Sequence, residues 1–266
     1  MDFGLIHYNA PGKTLGEFLK YAADAGFGFV ELQFRDVWPE GCASPEKEAE
    51  SAARLTAYAG LKVSALAASN DFVVMDEEQV KAQVERMKRV CGLARILGSS
   101  VIRTEGGSPK DSVPSEKWAD AMAGCLKRCR EFIEPMGMRL AIDNHGVITN
   151  EAGIQKKIIM AVDSPNVGVN LDTMNYRWFG HSLETLRAIY EEVAPFAFHT
   201  HLKDGTGSRE SYKGTALGEG EVDLAWAVTC LKKAGYSGVW CAEYEGREDP
   251  AVGYAKCLKW MKANIR

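Results

Sequence analysis

Eight times along this chain a short apolar run with β-branched residues gives way to a helical pattern, and that alternation leaves few folds open. The strand-like runs are Phe3 to Tyr8, Phe29 to Phe34, Lys62 to Ala67, Ser100 to Thr104, Leu140 to Asp143, Val167 to Asp172, Phe196 to Asp204 and Val239 to Glu243. Helix starts carry capping signals: Thr14 with Glu17 three residues on, Ser44 before Pro45, Ser115, Ser182 and Asp223. Gly26, Gly60, Gly98, Gly137 and Gly235 stand where helical patterns stop. The remaining helical patterns cover about 76–97, 150–162 and 250–265. Alternating βα units predict a parallel sheet, and eight of them in 266 residues predict a closed (β/α)8 TIM barrel, an α/β fold occupying 1–266 as one domain. A doubly wound open sheet is disfavoured, since no Gly-rich dinucleotide fingerprint follows the first strand.

Charge and cysteine content narrow the function classes. A formal net charge of −4 argues against nucleic acid as the main partner, because duplex binding asks for a basic face. The seven cysteines are odd in number and show no CxxC spacing, which reads as reduced thiols in a cytoplasmic protein. No basic region followed by an apolar run opens the chain, and no apolar run approaches the ~20 residues of a membrane helix, so neither a signal peptide nor a membrane partner is expected.

The chemistry-bearing residues gather at strand ends. Three strand-like runs finish on a carboxylate, at Asp143, Asp172 and Glu243, and a fourth holds His199 and His201. Strand side chains alternate faces, so Leu140, Ile142, Val169, Leu171, Trp240 and Ala242 suit the layer beneath the helices, and the three acids with His201 point into the barrel. Active sites of such barrels lie at the C-terminal strand ends. Charges crowded there repel unless paired or bound to a cation. Lys203 points away from His201 if the strand continues, which makes it a poor counter-ion. One divalent metal on Asp143, Asp172, His201 and Glu243 is therefore predicted. The carboxylate excess favours Mn²⁺, with Mg²⁺, Co²⁺ or Zn²⁺ also compatible. His199, one layer deeper, and Glu31, in inward phase with Phe29 and Gln33, are expected to support the ligands.

The ordered set Val30-Glu-Leu-Gln-Phe34, Ser69-Asn-Asp-Phe72, Val101-Ile-Arg103, Ile142-Asp-Asn-His-Gly146, Leu171-Asp-Thr-Met-Asn-Tyr176, His201-Leu-Lys-Asp204, Leu217-Gly-Glu-Gly-Glu-Val-Asp223 and Glu243-Tyr-Glu245 resembles the xylose isomerase-like sugar phosphate isomerase/epimerase superfamily, which also contains apurinic-site endonucleases. The resemblance covers nearly the whole chain and implies the same four ligands. It departs at Asp143, where the superfamily usually has glutamate, a side chain reaching up to about 1.5 Å further. It also implies that the acids of strands five and eight, Asp143 and Glu243, move a proton while the metal stabilises a cis-enediolate. With the shorter Asp143 as a ligand only, a one-base isomerase or a dehydratase gains ground over a two-base epimerase. Substrate contacts are expected from Asn144, His145, Arg103 and Asn70, with Asp71 and Phe72 at the rim. Trp38, Trp118 and Trp178 are expected to pack, and the Gly-rich, polar stretch from Gly205 to Gly220 to form a lid.

These observations predict a metal-dependent sugar isomerase or epimerase acting on a small ketose or keto-polyol, with a homodimer or homotetramer implied by the resemblance. The alternatives are an inosose-type dehydratase on the same metal and a non-catalytic sugar-binding barrel. A repair nuclease is disfavoured, because only five histidines are present and Asn70 and Asn175 stand where that branch places histidine.

Overall fold

A computed structural model describes residues 2–265; positions 1 and 266 of the expected span lie outside the described residues. In chain order the elements begin β1 (Phe3–Ile6), α1 (Leu15–Ala25), β2 (Phe29–Leu32), α2 (Pro45–Tyr58), β3 (Lys62–Ala68) and α3 (Glu77–Ile96). They continue with β4 (Val101–Thr104), α4 (Trp118–Ile133), β5 (Arg139–Asp143), α5 (Ala152–Val162), β6 (Val167–Asp172), α6 (Asn175–Phe179) and α7 (Leu183–Val193). Then come β7 (Ala197–Leu202), β8 (Asp204–Thr206), β9 (Lys213–Thr215), α8 (Leu224–Lys233), β10 (Trp240–Ala242) and α9 (Pro250–Asn264). Eight of the strands close in the order β1-β10-β7-β6-β5-β4-β3-β2, every pair parallel, as the alternation predicts. The remaining pair, β8 and β9, forms an antiparallel hairpin between β7 and α8.

Local chemistry explains most boundaries. Thr14 and Glu17 close a reciprocal capping box on α1, and Gly26 takes the left-handed conformation, φ 90°, that ends it. Asp76, Ser182 and Asp223 accept backbone N–H groups at the starts of α3, α7 and α8. Three expected starts differ. Ser44 makes no side-chain cap bond, and Pro45 alone sets the first turn of α2. Ser115 opens a three-residue 3-10 turn, and α4 begins only at Trp118. Asn150 precedes α5 by two residues and donates to the Gly146 carbonyl instead.

The apolar core fills the space between sheet and helices, where Leu140, Ile142, Val169, Leu171 and Trp240 meet buried helical residues such as Leu93, Met122, Leu126 and Ile158. Inside the barrel the population is polar: Glu31, Ser64, Arg103, Asn170, His199 and His201 are all buried. Gly168 on β6 lets β7 approach closely, since a Cβ there would sit 2.3 Å from the Phe196 carbonyl oxygen. All seven cysteines are free, six of them buried. Among the described residues no helix is long and apolar enough to cross a membrane.

Candidate metal centre

β7 ends at Leu202, and this boundary shapes the site. Thr173, just past β6, holds the backbone of Lys203: its Oγ1 accepts the Lys203 N–H at 2.9 Å and donates to the Lys203 carbonyl at 2.6 Å. The chain therefore leaves strand phase at Lys203, and the condition under which this side chain would point away from His201, a strand continuing past Leu202, is not met. Its buried ammonium lies 3.1 Å from Asp172 Oδ2, 3.1 Å from Glu243 Oε1 and 3.7 Å from Glu245 Oε2. Burial alone would lower the Lys203 pKa, but Asp172, Glu243 and Glu245 outweigh it and hold the amine charged.

Asp172, His201 and Glu243 form a cluster in which one donor atom of each lies within 4.8 Å of the others. Asp172 and His201 are register partners across β6 and β7, and Glu243 directly follows β10, the next strand round. Two of these side chains, Asp172 and His201, are fixed from behind. Asp172 Oδ1 accepts the N–H groups of Met174 and Asn175, both at 2.8 Å, while Oδ2 is buried with no hydrogen bond. His201 Nε2 meets Glu31 Oε2 at 2.6 Å. Its Nδ1 lies 2.9 Å from Glu243 Oε2. Asp172 Oδ2 and His201 Nδ1 each face a charged group, the Lys203 ammonium at 3.1 Å and Glu243 Oε2 at 2.9 Å. An imidazole backed by a carboxylate and facing two further carboxylates is a donor set that fits a divalent metal.

Beneath the cluster runs a second layer. Burial would raise the Glu31 carboxyl, yet His201 and Arg103 beside it bring it down to about 2. Arg103 Nε donates to Glu31 at 2.9 Å, and its Nη1 donates to Glu105 and to Asp143, both at 3.2 Å. His199 is pushed down to about 3, chiefly by burial, and contacts Asn170 Oδ1 at 2.9 Å and Ser64 Oγ at 3.2 Å. Glu31, His199 and His201 also bring donor atoms close together, but Glu31 is already engaged with Arg103 and His201.

Asp143 stands apart from the three-residue cluster. It pairs in register with Asn170, whose amide donates to Oδ1 at 2.7 Å, while Arg103 takes Oδ2. It does line the same cleft of about 270 Å³ as Glu243 and His201, together with Arg103, His145, Glu105, Glu245, Tyr8, Gln33 and Arg35. His145 is half-exposed there, with Nδ1 3.9 Å from Asp143 Oδ2. The structure does not bring Asn144 or Asn70 to the cleft lining. Asn144 is fully buried and ties β5 to β6, accepting the Asp172 N–H at 2.9 Å and donating to the Asp172 carbonyl at 3.0 Å. Asn70 turns towards α3 and donates to the Gln83 carbonyl. Trp38, Trp118 and Trp178 are occupied by Arg89, the Val113 carbonyl and Arg209 respectively.

Sequence reasoning gave no site role to Tyr8, Arg35, Glu105 or Glu245, placed Gln33 in inward phase without a role, and set Lys203 aside as a counter-ion on the premise that the strand continues. For Lys203 a signal existed, because the Asp204-Gly-Thr-Gly207 run breaks strand patterning directly after it.

Comparison with known proteins places this architecture. A sequence model described as "Xylose isomerase-like TIM barrel" matches residues 19–264. Inosose isomerase of Bacillus licheniformis is 23% identical over 233 residues, covering 85% of this chain and 82% of that one. The IOLI protein, solved with a binding zinc atom, superposes with a TM-score of 0.78 at 18% identity, over 99% of this chain and 96% of that one. L-ribulose 3-epimerase gives 0.77 at 18% identity, over 100% and 95%.

Proposed function

We propose that this chain, which belongs to the xylose isomerase-like TIM-barrel family, is a divalent-metal-dependent isomerase or epimerase of a small sugar or polyol ketone. The observation that carries the reading is the buried cluster of Asp172, His201 and Glu243, one donor atom of each lying within 4.8 Å of the others, beside the cleft that His201 and Glu243 line. Asp172, His201 and Glu243 would hold the ion, with Asp143 as the fourth donor at the edge of the cluster. The carboxylate-rich set favours Mn²⁺. The inosose isomerase relative and the zinc-bearing structural neighbour support a metal and a polyol ketone.

When bound, the ion supplies polarisation of the substrate's carbonyl and adjacent hydroxyl oxygens. The chain's own residues do the rest. Glu243 lines the cleft and stays ionised, since Lys203 and His201 outweigh the burial that would protonate it. It is the base that takes the proton from the carbon next to the carbonyl and returns it, through an enediolate. Glu31 fixes the orientation of the His201 ring by its bond to Nε2. Arg103 holds Asp143 and Glu31 on one guanidinium, which leaves Asp143 poorly placed to act as a second base. His145 sits beside Asp143 on the wall of the cleft, where it contacts substrate oxygens.

The same engagement of Asp143 by Arg103 and Asn170 favours a second reading, a dehydratase, because one carboxylate, Glu243, can take the carbon-bound proton and hand it to the departing hydroxyl, which leaves as water. The test is solvent-deuterium incorporation into ketoses and inososes with Mn²⁺ supplied. Glu243→Gln is expected to abolish incorporation while the protein still binds manganese. Incorporation at an undiminished rate removes Glu243 as the base. A UV-absorbing dicarbonyl product assigns the dehydratase.

A further inference from the structure

We propose that Arg35 and Gln33, at the mouth of β2, form an oxyanion subsite that selects ketoses carrying a terminal carboxylate or phosphate. The inference rests on the sugar-isomerase reading and names its substrate class. Nearly every charged group lining the cleft already faces an opposite charge. Arg103 is shared among Glu31, Glu105 and Asp143. Glu243 meets Lys203 and His201, and Glu245 meets Lys203 and the Tyr212 hydroxyl. His145 lies 3.8 Å from Glu105.

Arg35 is the exception. It lines the cleft from the 3-10 turn Phe34–Asp36, and no carboxylate pairs with it among the described residues. The nearest acid in sequence, Asp36, is spent on His7 Nδ1 at 2.9 Å and on the Gln33 N–H at 2.8 Å. Two residues before Arg35, Gln33 lines the same cleft, and its Nε2 is buried without a hydrogen-bond partner. A buried amide donor without an acceptor is destabilising, and a ligand that supplies one removes the penalty. Among the described residues these two side chains, one at the start of the turn and one within it, both line the cleft and offer donors with no acceptor, and together they form a recognition element for an anion. A guanidinium matches carboxylate or phosphate oxygens in a bidentate fork, and an unpaired cation at a cleft mouth also draws anions in. The carbonyl end of the substrate would then lie at Asp172, His201 and Glu243, with its anionic end on β2.

The test compares D-fructose, D-fructuronate and D-fructose 6-phosphate, titrated calorimetrically into the manganese-loaded chain. At least one anionic ketose is expected to bind about tenfold or more tightly than D-fructose, as a charge-assisted contact allows. Which of the two gains identifies carboxylate or phosphate. In Arg35→Gln the ratio is expected to fall to about one, and Arg35→Lys to restore part of it. Arg35 is exposed and has no ion-pair partner among the described residues, so its removal strands no buried charge, and a thermal melt checks the fold. Equal binding of all three ketoses, or an anionic preference that survives Arg35→Gln, overturns the subsite and leaves the isomerase reading standing. Manganese binding with no affinity for any ketose removes both.

Discussion

Lys203 decides how charge is balanced at the barrel mouth. Its ammonium bridges Asp172 and Glu243, the two carboxylates that would also hold a metal. Cation and ion answer the same electrostatic need, so each should substitute for the other in stabilising the fold. Removing one partner of a buried pair costs ~3–5 kcal/mol. Lys203→Met is therefore expected to lose about that much in urea unfolding without metal, and to recover most of it in saturating MnCl2. Equal losses with and without manganese would show that the ammonium and the ion do not share these carboxylates. At this scale the sequence was legible for side-chain phase inside strands and silent past their ends. Asp172 and His201 are register partners because both lie within ladders. Lys203 escaped because strand parity stops applying one residue beyond Leu202. Asn144 escaped because an asparagine after a ligand can turn to the backbone as readily as to substrate, and here it joins two strand ends.

Elements are positioned by a few polar anchors, and the hairpin β8–β9 shows this best. The Gly205 to Gly220 stretch reads from sequence as a lid, and the structure gives it ladder pairing and a firm base. The Asp204 carboxylate accepts the N–H groups of Gly205, Gly218, Gly220 and Val222, gathering both ends of the segment. Glu221 adds the Gly207 N–H and the Arg177 guanidinium. Gly220 is required, since a Cβ there would lie 2.1 Å from Asp204 Oδ1. Asp204→Ala strands four backbone donors at once. Amide exchange at Gly205, Gly218, Gly220 and Val222 is expected to accelerate at least about tenfold, while β5 and β6 amides keep their protection. Uniform acceleration across the barrel would instead make Asp204 part of the global fold. Helix starts were legible where a side chain caps, as at Thr14, Asp76, Ser182 and Asp223. They were missed at Ser115, where a 3-10 turn intervenes before Trp118.

For the whole molecule, closure of eight parallel strands follows from the alternation of patterns, because each strand buries one face under helices and one in the barrel. The same closure buries the thiols: Cys91, Cys125, Cys129, Cys230, Cys241 and Cys257 are enclosed, and Cys42 alone is partly exposed. Burial pushes Cys91 and Cys257 up to about 12, which further suppresses reactivity. The native protein is expected to release about one equivalent in a thiol titration and all seven once unfolded in guanidinium. Several fast equivalents in the native state would contradict the packing. What alternation cannot set is which strand-end residues meet, since that depends on register and on side-chain length, as Asp143 shows by resting on Asn170 and Arg103. Anomalous diffraction at the manganese edge, from crystals grown with MnCl2, reads out whether Asp172, His201 and Glu243 hold a divalent ion. One strong peak per chain is expected, bonded to Asp172 Oδ2, His201 Nδ1 and a Glu243 oxygen at about 2.0–2.3 Å; no peak at the barrel mouth, with Lys203 still bridging Asp172 and Glu243, would show that these residues hold no ion.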